Sequence, residues 1–225
     1  MVLHKHQRTI DLKIVSENEN YIVLHKAAGI ATQTARLGEQ DLVSEVKNYL
    51  ADNGHEKNPY IAVINRLDQP VEGLVLMAKD EKTAALLSRQ LTQSEIEKYY
   101  QARVYGHMPS ESGTLEDWIK KDAKTNLSVI SVKDDKQAKK AVLEYRVISG
   151  DEKTDTLDIH LLTGRHHQIR LQLSHAGCPL IGDRKYTSAD SKAYSEAAGI
   201  KNICLKAYKL VFTDPSNKKR IELTL

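Results

Sequence analysis

The chain has 225 residues, of which 40% are hydrophobic and 28% charged, a balance that suits a folded domain and excludes a disordered or fibrous chain. No apolar run approaches the roughly 20 residues of a membrane span. The N-terminal Met1-Val2-Leu3-His4-Lys5-His6-Gln7-Arg8 has charge but no apolar segment behind it, so a signal peptide is not expected and the cytoplasm is the expected compartment.

In chain order, Val, Ile, Leu and Tyr enrichment predicts a first strand over 21–25. Leu42, Val43, Val46 and Leu50 keep helical spacing, and a loop is expected over 51–59. Strands follow over 61–65 and 73–79, then a helix carrying Ala84, Leu87 and Leu91 behind Asp80, which suits an N-cap. A strand over 99–105 leads to a loop over 107–113, and the mixed charges of 133–140 read as a solvated turn. Strands at 141–148 and 156–161 flank a loop at 149–155. A helix over 165–176, with Ile169 and Leu173 four apart, is expected to end at Gly177. A last strand alternates through 203–207. Strands outnumber helices without alternating regularly with them, which predicts an α+β fold with a largely antiparallel sheet, as a single domain over 1–225. Cys178 and Cys204 lack CxxC spacing and sit in apolar surroundings, so both read as buried, inert thiols.

The net charge of +3 is unevenly spread: residues 160–225 carry eleven Lys and Arg against five Asp and Glu, while the first 159 are net acidic. A polyanion-binding face would produce this, as would a solvated surface. Three segments carry candidate chemistry. In Ile64-Asn65-Arg66-Leu67-Asp68-Gln69-Pro70-Val71-Glu72-Gly73, an apolar strand stops at Arg66-Leu67-Asp68 and a Pro/Gly turn follows. Asp68 there is either a turn cap or a catalytic carboxylate held by a rigid sheet. In Lys98-Tyr99-Tyr100-Gln101-Ala102-Arg103-Val104, alternation places Lys98, Tyr100, Ala102 and Val104 on one face. Tyr100 reads as a core tyrosine or as a stacking surface for an unstacked base. In Thr163-Gly164-Arg165-His166-His167-Gln168-Ile169-Arg170, a strand runs into a helix start with two guanidiniums, an arrangement suited to an anion. His160, His166, His167 and His175 lack a ligand spacing such as HExxH, so no metal site is expected.

Together these segments resemble the RluA-type pseudouridine synthases. Asn65-Arg66-Leu67-Asp68-Gln69-Pro70-Val71-Glu72-Gly73 matches the Arg, Leu, Asp and final Gly of that family's His-Arg-Leu-Asp-x-x-Thr-Ser-Gly. Lys98, Tyr100, Ala102, Val104 and Gly106 match its Lys-x-Tyr-x-Ala-x-Val-x-Gly. Residues 163–170 follow its Thr-Gly-Arg-Thr-His-Gln-Ile-Arg, with His166 for the second Thr. Gly177-Cys178-Pro179-Leu180-Ile181-Gly182-Asp183 and Leu205-Lys206-Ala207-Tyr208-Lys209-Leu210-Val211-Phe212 resemble two further motifs. An Asn-x-x-Tyr-Ile-Val-Leu-His-Lys-Ala-Ala-Gly segment near the N-terminus is similar to a sixth. The resemblance spans residues 14–215. Asn65 stands where the family has His, and Val71-Glu72 where it has Thr-Ser.

The resemblance implies the pseudouridine synthase fold, a mixed, largely antiparallel sheet flanked by helices and loops. It also implies isomerisation of uridine to pseudouridine in ribosomal or transfer RNA, with no cofactor. It makes Asp68 the nucleophile or base, Arg170 the guanidinium that favours its ionised form, and Tyr100 the residue stacked on the flipped base. Arg66 would contact the RNA or fill the vacated stack, Leu210 would pack under the base, and Arg165, His167 and Gln168 would bind substrate. Only about a dozen residues precede the first matching motif, so an S4-type RNA-binding domain is expected to be absent. RNA is the expected partner, without DNA or membrane, and the lack of heptads makes a monomer the simpler expectation. Two other readings stand beside this one: a non-catalytic RNA-binding or ribosome-assembly factor on the same scaffold, and a carboxylate-dependent hydrolase of a phosphorylated small molecule.

Overall fold

A computed structural model describes residues 11–34, 39–54 and 57–225. The chain divides into two compact units, one built from residues 1–96 together with 210–225, the other from 97–209.

In the first unit the order is β1 (Lys13–Glu17), β2 (Tyr21–Lys26), α1 (Leu42–Asp52), β3 (Ala62–Val63), β4 (Glu72–Ala78) and α2 (Glu81–Thr92). Strand β2 is antiparallel to β1 on one side and to β4 on the other, in a register running from Tyr21↔Ala78 to Lys26↔Gly73. Both β2 and β4 are buried along almost their whole length, which is why their sequences are near-continuous apolar runs rather than alternating ones. Each helix starts on a carboxylate cap: Asp41 accepts from the Ser44 N–H at 2.7 Å and Asp80 from the Thr83 N–H at 2.8 Å. These bonds satisfy donors that the first helical turn leaves open. The core of this unit packs Tyr21, Val23, Leu74, Leu76 and Leu87 with Leu210 and Phe212, which come from the far end of the chain.

The second unit holds β5 (Glu97–Tyr105), β6 (Ser112–Asp122), β7 (Leu127–Ser131), β8 (Lys139–Gly150), β9 (Thr154–Leu161), α3 (Gln168–His175), α4 (Ala189–Ala197) and the first residues of β10 (Leu205–Thr213). Its strands follow the order β5-β9-β8-β6-β7, each neighbouring pair antiparallel. The final strand, β11 (Arg220–Thr224), pairs with β10 in the first unit. The architecture is α+β with a mostly antiparallel arrangement of strands. No helix among the described residues is long and apolar enough to cross a membrane.

Several elements depart from their predicted bounds. The strand predicted over 61–65 keeps ladder geometry only at Ala62–Val63, because the chain is turned away at Asn65. The helix predicted from Arg165 begins at Gln168; His167 before it has φ 53°, a left-handed conformation that cannot continue a helix. The predicted stop holds: Gly177 has φ 83°, and the Cys178 N–H reaches back to the Leu173 carbonyl at 3.0 Å. Part of the loop expected over 107–113 is already β6, and the loop expected over 149–155 is a turn between β8 and β9 held by the Asp151 carboxylate. Strands β1, β6, β7 and β11 and helix α4 had no predicted counterpart. Cys178 is buried and Cys204 half-buried, and burial pushes both thiols up, which disfavours the reactive thiolate.

Candidate active site

Asp68 sits on a connection fastened from three directions. The Asn65 side chain takes over where β3 ends: its Nδ2 donates to the Leu74 carbonyl at 3.1 Å and its Oδ1 accepts from the Leu76 N–H at 2.7 Å. A side-chain amide thus pairs with β4 as a backbone amide would, and the main chain is released to diverge. Two residues on, buried Leu67 donates its N–H to Thr32 Oγ1 and accepts from it through its carbonyl. The turn then closes with the Val71 N–H donating to the Asp68 carbonyl at 3.0 Å. Arg66 is exposed and Asp68 half-buried, so the turn presents a cation and a carboxylate on a rigid base.

The third fastening is Lys26, at the end of β2 and fully buried. Its ammonium donates to the carbonyls of Ala27, Ile30 and Gln69 at 3.1, 2.7 and 3.1 Å. The last of these belongs to the residue after Asp68. Gln69 is held twice more by Gly29, through the Gly29 N–H and through its own side-chain amide, and Gly29 adopts φ 91° to allow that approach. Burial pushes the Lys26 ammonium down to about 8, against the opposing influence of the Asp68 and Glu72 carboxylates. Glu72 is half-buried, with Oε1 4.0 Å from His25 Nε2. Val71 is buried. Lys26 was present only as one letter of a matching motif; the signal in the sequence was a lysine closing an otherwise apolar strand.

In the second unit, β5 alternates as predicted: Lys98, Tyr100, Ala102 and Val104 are buried, while Tyr99, Gln101, Arg103 and Tyr105 are not. Arg170, on α3, is buried and paired with Asp183 through two short bonds, Nε to Oδ2 at 2.7 Å and Nη2 to Oδ1 at 2.7 Å. Such a fork fixes the plane of the guanidinium as well as its position. Asp183 Oδ1 also accepts the N–H groups of Lys185 and Tyr186. The Tyr186 ring centroid lies 5.3 Å from Arg170 Cζ, and its hydroxyl lies 2.8 Å from His167 Nδ1 and accepts from the Ser128 N–H. Burial raises the Tyr186 hydroxyl above its ordinary range.

Gln168 is buried with its amide fully engaged. Oε1 accepts from Thr163 Oγ1 and the Arg165 N–H, and Nε2 donates to the Val142 carbonyl and Gln172 Oε1. It shapes the loop that carries Arg165, whose Nε donates to the Lys140 carbonyl at 2.9 Å. Of the residues singled out by sequence, Arg66 and Asp68 share one turn in the first unit, where Leu210 is buried in the core. Arg165, His167, Gln168 and Arg170 share one loop and helix in the second unit, which also carries Tyr100. Among the described residues no three His, Cys, Asp or Glu side chains gather as metal ligands would.

This turn, strand and helix lie within residues 20–175, the segment that matches the family model described as RNA pseudouridylate synthase. The chain belongs to that family, and is an isomerase that acts on RNA. It is 28% identical to the dual-specificity RNA pseudouridine synthase RluA of Vibrio parahaemolyticus, an alignment covering 91% of this chain and 78% of the relative. It is also 28% identical to ribosomal large subunit pseudouridine synthase D of Zymomonas mobilis, covering 97% of this chain and 70% of the relative. With the mitochondrial tRNA pseudouridine(32) synthase of Saccharomyces cerevisiae it shares 32% identity, over 83% of this chain but only 40% of the yeast protein. The fold is that of the human RNA pseudouridylate synthase domain containing 4 protein, with a TM-score of 0.76 at 21% identity over 95% of this chain and 87% of the other.

Proposed function

We propose that the protein converts uridine to pseudouridine in ribosomal or transfer RNA, with Asp68 as the carboxylate that attacks or deprotonates. The observation that carries this reading is the fastened turn that presents Asp68, half-buried, next to an exposed arginine. The reaction breaks the N1–C1′ bond and forms a C5–C1′ bond, with the C5 proton released and N1 reprotonated. No electrons enter or leave, so a carboxylate and an acid–base partner suffice.

Each further residue has a role on this reading. Arg170, oriented by Asp183, is the guanidinium that the family resemblance assigns to the reacting carboxylate. Tyr100 stacks on the extruded base and assists loss of the C5 proton. Arg66 contacts the RNA or fills the space the base leaves, and Leu210 forms an apolar wall beneath it. Extrusion costs a few kcal/mol, which these contacts offset. Arg165 and His167 bind the RNA, and Gln168 contributes by holding their loop. The relatives named for ribosomal and transfer RNA support those two substrate classes. Single chains acting on RNA in the cytoplasm complete the reading.

Tritium release from RNA labelled at uridine C5 tests it, with bulk RNA from a strain lacking the protein as substrate. Release by wild type but not by Asp68→Asn is the expected result. Turnover by Asp68→Asn would remove the carboxylate from its role. RNA binding without release by either protein would point to a non-catalytic factor and to Asn65, Val71 and Glu72 as the cause.

A further inference from the structure

Lys98 is a long cationic side chain turned into the protein and left without an anion. It lies on the buried face of β5, two residues before Tyr100, and is only 9% exposed. No carboxylate, carbonyl or hydroxyl among the described residues accepts a hydrogen bond from its ammonium, and it takes part in no ion pair. Lys26, the other buried lysine among the described residues, is met by three carbonyls. The Lys98 Nζ reaches solvent rather than a protein acceptor, so the charge is open to an anionic occupant.

The surroundings define that occupant. A Cβ added to Gly164 would meet a single neighbour, Lys98 Nζ at 3.6 Å, and Gly164 itself is exposed. The ammonium therefore lies directly beneath a bare stretch of backbone at the surface. The next residue is Arg165. Its Nε is tied to the Lys140 carbonyl and its N–H to Gln168 Oε1, while its two Nη groups have no protein partner among the described residues. Two cations are thus held close together on a fastened loop. Burial and, after it, the Arg165 charge push the Lys98 ammonium below its ordinary range, the signature of a site with positive charge in excess.

We propose that Lys98 and Arg165 form an anion site, opened by the absence of a side chain at Gly164, that takes a backbone phosphate of the RNA substrate. This deepens the proposed function and rests on it for the identity of the ligand. The pair would act as a clamp on the strand, with Arg165 offering a planar fork and Lys98 a point charge. A phosphate between them restores the charge balance that the protein leaves unfilled. Phosphate contacts set position rather than sequence preference.

The test is the salt dependence of binding to a 20-nucleotide oligouridylate, for wild type, Lys98→Met and Arg165→Gln, with thermal melts of each. Lys98→Met keeps the length of the side chain and removes only the charge, so it should melt at or above the wild-type temperature. It should bind about tenfold more weakly, with the slope of log K against log salt reduced by about 0.7, the share of one phosphate on a single strand. Arg165→Gln should show the same loss of slope. A wild-type slope in folded Lys98→Met would overturn the proposal. So would Lys98-dependent binding of inorganic phosphate with an unchanged oligouridylate slope, which would make the ligand a free anion. Tritium release by wild type is scored separately: its absence would remove the isomerase reading while leaving the slopes to judge the clamp.

Discussion

Lys26 is where the chemistry of the Asp68 turn and its construction meet. One ammonium binds three carbonyls and at the same time lies within the electrostatic reach of Asp68 and Glu72. Its proton is held less tightly in the fold, at about 8, than the ordinary 10.5. Between those two values the unfolded chain binds more protons than the native one, so this group makes stability rise with pH across that window. Lys26→Met should flatten that rise in denaturant melts taken from pH 7 to pH 10. Activity should move the other way in wild type, because above about pH 8 the two carboxylates lose a positive charge that lies within their electrostatic reach. A declining alkaline limb of the tritium-release profile near 8, shifted upward in Lys26→Arg, is the expected result; an unshifted limb would assign it to another group. Asp183 is the counterpart in the second unit. Asp183→Asn leaves the Arg170 charge buried without its fork, and should cost about 3 kcal/mol in urea denaturation.

At the scale of elements, the turn works because strand pairing is ended on one side only. The Asn65 amide satisfies the Leu74 carbonyl and the Leu76 N–H, so β4 keeps its ladder while the main chain departs toward Asp68. Asn65→Ala would leave both β4 groups buried without partners, at about 3 kcal/mol in total, and would loosen the turn. Hydrogen exchange at the Leu76 amide reads the first effect, and a fall in kcat larger than the change in KM reads the second. The connection after α3 is equally constrained. Gly182 has φ 77°, and an added Cβ would overlap the Asn202 carbonyl. Gly182→Ala should therefore destabilise by about 2 kcal/mol or more, seen as a lowered melting temperature and as disorder next to Asp183.

Across the whole molecule the chain closes on itself. The first unit is built from both ends, with Leu210 and Phe212 packed among side chains of β2 and β4. Truncation after Lys209 would take away two large core residues together with β11, and losses of this kind cost about 3–5 kcal/mol for each large side chain. Such a truncation should abolish the cooperative melt of the first unit, read as loss of amide protection in β2 and β4. Retained protection there would mean that the N-terminal segment holds its own core. The interleaving also explains why a linker was not found in the sequence: the unit boundaries at Ile96/Glu97 and Lys209/Leu210 fall at or within strands, where composition gives no sign of a break.

The sequence by itself determined the elements with uniform burial and the chemistry-bearing motifs. Strands β2 and β4 announce themselves by apolar runs, β5 by alternation, α2 by its Asp80 cap and α3 by Gly177, because each of these signals is local. The family resemblance was legible for the same reason, since it rests on short contiguous motifs. Tertiary structure alone decided the rest. Strands β6 and β7 are mostly half-buried, with only Ile119 and Ser128 fully inside, so no clear hydrophobic period is left to read, and β1 and β11 exist because a neighbouring strand offers its hydrogen bonds. The start of α3 differs from the expectation because His167 turns left-handed, held by a hydrogen bond with Tyr186, nineteen residues away. The reach of Lys26 to Gln69, the grip of Asp183 on Arg170 and the unfilled charge of Lys98 are likewise relations between distant segments. A carboxylate, a lysine or an arginine can be named from sequence; what holds it, and what it lacks, is a property of the packed chain.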